Sequence, residues 1–135
     1  MGRVFLGLML VSALALGGCI WDYDERPVAG DIVLLAIDGG DDYSLCQKTN
    51  SSSCSGLVNG AVVAVGASER YIAAARLPYD FHGVERPSDG GAQTIEYYVV
   101  DRAGQGARPT VLGPFTDHEF REQAERLSLP PLKVP

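Results

Sequence analysis

The sequence predicts an α+β, mainly β fold: an antiparallel meander of four to six strands closed by one C-terminal helix. Three observations predict it. Short apolar runs such as "DIVLLAID", "GAVVAVG" and "RYIAAARLP" recur between clusters of Gly, Pro, Asp and Ser, the pattern of strands separated by turns. "TIEYYVVDR" alternates its two faces with a period of two. Only near the C-terminus does a segment, "FTDHEFREQAERLSLPP", combine helical periodicity with readable start and stop signals.

The elements follow in chain order. The amino terminus and Arg3 are positive, residues 4–16 are almost wholly apolar, and Leu16-Gly17-Gly18-Cys19 ends the stretch. That is the layout of a secretory signal peptide. The apolar run is shorter than the ~20 residues a helix needs to cross a bilayer. Leu16-Gly17-Gly18-Cys19 resembles the lipobox of bacterial lipoproteins, with Gly17 where Ala or Ser is usual. The resemblance implies cleavage before Cys19, acylation of its sulfur with chains such as palmitate, and commonly a further chain on its amino group. Two or three chains anchor stably where one is marginal. Ile20, in place of the retention signal Asp, implies the outer membrane, facing the periplasm, in a Gram-negative cell. The rival is an ordinary signal peptide with an incidental cysteine. The domain plan is therefore a signal peptide at 1–18, a lipidated tether at 19–30, and one globular domain at 31–135.

Within the tether, Trp21 and Tyr23 carry amphipathic rings suited to lipid headgroups or to packing on the domain. "DIVLLAID" reads as the first core strand, apolar enough to be covered on both faces. "YSLCQK" pairs back as a second, and "TNSSSCSG" reads as a flexible loop. "GAVVAVG" and "RYIAAARLP" read as a hairpin, although Ala73 to Ala75 favour helix by propensity. "PYDFHGVERPSDGGAQ" is a long loop and the leading exposed feature. In "TIEYYVVDR", Ile95, Tyr97 and Val99 share one face and Glu96, Tyr98 and Val100 the other; "TVLGP" returns the chain. Thr116 caps the helix, Glu119 completes a capping box and Phe115 staples to Phe120. Phe120, Ala124 and Leu127 line one face, and Pro130 and Pro131 end it.

Residues 69–130 are also similar to a small domain in uncharacterised bacterial proteins. The matching features are Tyr71-Ile72, Tyr97-Tyr98 with Asp101, and Gly113-Pro114 with Thr116, Glu119 and Phe120, before a helix that ends Leu129-Pro130. This resemblance implies a fold unit and no assigned activity.

Composition narrows the function classes. Residues 1–18 contain one charged side chain, Arg3, so the 117 residues that follow hold ten Lys or Arg against seventeen Asp or Glu, a net charge of −7. Nucleic-acid binding needs a basic stripe, and none is present. Electrostatic adhesion to anionic lipid is disfavoured for the same reason; the membrane contact expected is the Cys19 lipid. Cys46 and Cys54 remain once Cys19 is modified, and an oxidising compartment lets them form a disulfide. A zinc pair is the rival, but zinc sites want closer pairs and more ligands.

Catalytic signatures are missing: there is no Gly-x-Ser-x-Gly elbow, Ser-x-x-Lys, phosphate loop or dinucleotide fingerprint, and no cofactor is implied. "HEFRE" begins like a zinc-protease helix, but Glu122 stands where the second histidine belongs. His82, with Asp80 and Glu85 near it, offers an acid/base pair, against the plainer reading of a solvated loop histidine. Asp38, Asp41 and Asp42 offer hard oxygen ligands for a metal but lack the spacing of an EF-hand; a turn explains them better. Tyr79, Phe81 and whichever of Tyr97 and Tyr98 faces outward are the recognition candidates, since aromatics are favoured at interface hot spots.

The expected function is a small lipid-anchored cell-envelope protein, a non-enzymatic protein-binding or inhibitor-like module with an envelope protein as partner. The alternative is a hydrolase or small-ligand-binding lipoprotein with its site around Asp80-His82.

Overall fold

The computed structural model describes residues 23–37, 42–78, 94–103 and 108–135. Among these, eight strands precede one helix: β1 (Tyr23–Ala29), β2 (Ile32–Ile37), β3 (Ser44–Lys48), β4 (Cys54–Val58), β5 (Val62–Ala67), β6 (Tyr71–Arg76), β7 (Glu96–Asp101), β8 (Thr110–Phe115) and α1 (Asp117–Leu127). All neighbouring strands are antiparallel, so the meander is present, but it is divided. β1-β2-β3-β4 form one sheet and β5-β6-β7-β8 a second.

The division has a local cause. Between β4 and β5, Gly60 (φ 69°) and Ala61 (φ 39°) are consecutive left-handed residues, a conformation that costs a non-glycine residue about 1–2 kcal/mol. They turn the chain out of the first sheet, and the Val62 N–H then donates to the Tyr43 carbonyl (2.9 Å). The second sheet is thus laid against the first instead of extending it. Ile32, Leu34, Ala36 and Leu45 of the first sheet meet Val62, Ile72, Ala74, Tyr98 and Val100 of the second in one buried cluster.

Two segments differ from expectation. Tyr23–Ala29, expected in the tether, is a strand. It is an edge strand, so its side chains are largely exposed and its sequence lacks apolar alternation; Pro27 is tolerated there because an edge leaves one side of the backbone unpaired. Cys54–Val58, of which Cys54 to Gly56 were expected in the flexible loop, is also an edge strand, paired with β3 through Cys46↔Gly56 and Lys48↔Cys54.

β6 is covered on both faces, and Ile72 to Ala75 are all buried. Ile72 and Ala74 face the first sheet, whereas Ala73 lies under α1 with Val99 and Phe120. Small side chains here let a helix approach, so tertiary packing outweighs the helical propensity of alanine. The helix itself starts as its sequence dictates. The Glu119 N–H donates to Thr116 Oγ1 (3.3 Å) and the Thr116 N–H to Glu119 Oε2 (2.8 Å), completing the capping box. Its 11 residues span about 16 Å, close to the ~14 Å width of a four-stranded sheet. α1 therefore carries the chain from β8 across to the opposite edge. There Val65 and Lys133 exchange backbone hydrogen bonds of 2.9 and 3.0 Å, tying the C-terminal tail to β5. The molecule has three layers: first sheet, second sheet, helix.

Candidate functional site

The segment between β6 and β7 contains Tyr79, Asp80, Phe81, His82 and Glu85, all outside the described residues. Its anchoring ends are described. Arg76 and Glu96 are cross-strand partners, and Arg76 reaches Glu96 Oε2 through Nη2 (2.5 Å) and Nε (3.1 Å). Arg76 Nη1 also donates to the Asn59 carbonyl (2.9 Å), and the Tyr98 hydroxyl donates to the same Glu96 oxygen (3.2 Å). The Arg76 guanidinium lies 4.9 Å from the Tyr98 ring centroid. Burial pushes the Tyr98 hydroxyl pKa upward, with Arg76 opposing and the Glu96 charge adding to the rise. Glu96 Oε2 accepts from three donors, and Tyr98 stays neutral as one of them. The cluster works as a clamp on the ends of the connection rather than as an acid/base pair.

The same end of the sandwich holds the start of β1. The Tyr43 hydroxyl donates to Asp24 Oδ2, and Arg26 bridges to that oxygen (2.9 Å) while lying over the Tyr43 ring. The Tyr43 hydrogen bond, opposed by burial and helped by Arg26, holds the Asp24 pKa below the ordinary carboxylate range. Tyr43 accepts from Val62, which is cross-strand from Arg76. The entry to the domain and the β6–β7 connection are therefore neighbours.

The second candidate lies on the outer face of the first sheet. α1 packs on the second sheet, and among the described residues no helix covers the first. Tyr23 and Ile37 are direct cross-strand partners, 62% and 59% exposed. Single exposed apolar side chains need no explanation, but adjacent ones form a patch. With Leu35 they floor a cleft of about 360 Å³, rimmed by Ser51 to Ser53 and by Cys54. Lys48 Nζ and Glu25 Oε1 pair across it at 2.8 Å, so the cleft carries no net charge. The Cys46–Cys54 disulfide, with a Cα separation of 5.7 Å, ties down the β3–β4 loop that makes the rim. Such a surface suits an apolar or amphipathic contact.

The remaining sequence candidates fall as follows. Tyr98 is buried in the core between the sheets, and Tyr97 stacks on Phe120 under the helix. Neither is an exposed recognition aromatic: the two faces of β7 are both covered, one by the first sheet and one by α1. β2, expected to be covered on both faces, is so at Ile32 to Leu34 but opens at Leu35 and Ile37. Asp42 is exposed and described, whereas Asp38, Asp41 and Cys19 lie outside the described residues. Among the described residues, no three His, Cys, Asp or Glu side chains converge to hold a metal ion. His118 is exposed on α1, 3.7 Å from Glu122. The cleft was missed by sequence reasoning because Tyr23 was not assigned to a strand; the continuous apolar run through Ile37 was the available signal.

No curated protein and no solved structure matches this chain. Residues 36–133, from the end of β2 through both sheets and α1 to the tail, match the family described as Protein of unknown function (DUF3997), and the chain belongs to that family.

Proposed function

We propose that this is a small lipid-anchored protein of the cell envelope, held through Cys19 and, in a Gram-negative cell, resident in the outer membrane facing the periplasm. Its sandwich serves as a non-enzymatic module that binds an envelope protein, in the manner of an inhibitor. One observation carries the reading: an apolar segment with a basic start ends at Leu16-Gly17-Gly18-Cys19. A disulfide between Cys46 and Cys54 agrees with it, because disulfides persist in oxidising compartments. The acidic balance of the chain, −6 overall, favours a protein partner over nucleic acid.

The test has two readouts on the full chain in cells. Incorporation of a palmitate analogue is followed in the wild type and in Cys19→Ala, and in-cell crosslinking with mass spectrometry is run on both. Acylation and membrane fractionation lost in Cys19→Ala, with one partner enriched only by the wild type, support the proposal. An unacylated, soluble wild type overturns the anchor. Turnover of an ester, amide or glycoside library that disappears in a folded His82→Ala variant overturns the non-enzymatic reading in favour of a hydrolase.

A further inference from the structure

We infer that the outer face of the first sheet, at the Tyr23–Ile37 pair, seats on the phospholipid headgroups of the membrane that holds Cys19. This rests on the lipid-anchored reading above and adds an orientation to it.

Reach comes first. Cys19 and Tyr23 are four residues apart, and an extended chain spans at most about 3.6 Å per residue, so their Cα atoms are within about 14 Å. The polar zone of one bilayer leaflet is itself about 5–8 Å deep. With that depth subtracted, a lipidated Cys19 holds the start of β1 no more than about 9 Å beyond the headgroups. β1 begins at Tyr23, so the part held nearest the lipid is the start of that strand and its cross-strand partner Ile37.

The surface chemistry agrees with that placement. Tyr23 combines an apolar ring with a hydroxyl, the composition that suits a headgroup layer. Ile37 beside it is 59% exposed, and Leu35 extends the apolar floor. The charges at the cleft, Glu25 and Lys48, neutralise one another at 2.8 Å, in a chain that is otherwise strongly acidic. A zwitterionic phosphatidylethanolamine surface meets such a patch without net repulsion. The outer face of the second sheet already has its cover in α1; the membrane supplies the counterpart on the first.

The test uses the acylated protein on vesicles of phosphatidylethanolamine with a minor fraction of phosphatidylglycerol and a headgroup-quencher lipid. A fluorophore is placed at Ile37→Cys or, on the helix in the opposite layer, at Glu122→Cys. Quenching several-fold stronger at position 37 than at 122 is the expected result. Hydrogen exchange of the unlabelled wild type gives the same information without a substitution: β1 exchanges more slowly on vesicles than in Cys19→Ala protein free in solution. Equal quenching at both positions on vesicle-bound protein, with β1 exchange unchanged, overturns the seating and leaves the anchor standing. The same holds if position 37 becomes shielded only when envelope protein is added, which makes the face a protein contact. Wild-type protein that does not float with vesicles and whose Cys19 is unmodified by mass removes the anchor and the seating together.

Discussion

Tyr97 lies flat on Phe120, ring centroids 4.6 Å apart and planes 14° from parallel. The contact joins β7 to α1 at Phe120, the one residue of the helix that is buried outright, and it leaves Tyr97 half-buried. Phe120→Ala is expected to destabilise the domain by about 3 kcal/mol, through lost burial and the cavity it leaves. A double-mutant cycle with Tyr97→Ala should return a coupling of about 0.5–1.5 kcal/mol for the stacked pair. Urea denaturation of the four proteins checks both figures; a coupling indistinguishable from zero would mean the rings are neighbours without interacting.

Gly66 is where the C-terminal tail crosses β5. A Cβ built there would stand 2.2 Å from the Pro131 carbonyl oxygen, a backbone atom that cannot swing aside. Gly66→Ala is expected to cost about 1–3 kcal/mol, as overpacking does. It should also accelerate hydrogen exchange at Val65 and Lys133, whose reciprocal bonds hold the tail to the edge strand. Unchanged exchange at both amides would show that the tail does not depend on the small residue.

The disulfide closes a short loop, with Cys46 and Cys54 eight residues apart. On the chain-entropy account, Cys46→Ser with Cys54→Ser lowers stability by about 2.5 kcal/mol. The effect should appear in chemical denaturation of the double variant against the oxidised parent, and should vanish when the parent is reduced. Because the loop forms the rim of the cleft, exchange should rise first at Ser51 to Ser53.

Three carboxylates titrate below their ordinary values: Asp24 through the Tyr43 hydroxyl, Asp101 through its Arg70 partner and Glu119 through the Thr116 N–H. A folded pKa below the unfolded one stabilises above the unfolded value, near pH 4, and that contribution is lost as pH falls through the folded values. Stability should therefore decline below about pH 4, and Glu119→Gln should flatten part of that limb. Tyr98 has the opposite sign. Its raised pKa stabilises the fold below the ordinary tyrosine value of 10.0, and the contribution is lost as pH rises through the folded one. Alkaline unfolding should coincide with a late tyrosinate absorbance, and Tyr98→Phe should remove that late component.

Much of the local architecture was legible because it is written in neighbouring residues. Thr116 and Glu119 satisfy each other's backbone N–H groups three residues apart, so the helix start needs no knowledge of the rest of the fold. The alternation around Tyr97 to Val100 likewise gave the two faces of β7 correctly. The candidate site was less legible: the cleft depends on β1, and β1 has no apolar period of its own to reveal it.

The sequence by itself determined the position of β2, β3, β5 to β8 and α1, the helix capping and the cysteine pairing, since apolar runs, turns and caps act over a few residues. Only the tertiary structure decided that the meander breaks into two sheets at Gly60 and Ala61, that Tyr23–Ala29 and Cys54–Val58 are strands, and that Tyr98 is a core residue while Tyr97 is half-buried against α1. Edge strands form because a neighbour supplies their hydrogen bonds. Which face of a strand is open depends on what the rest of the chain lays over it.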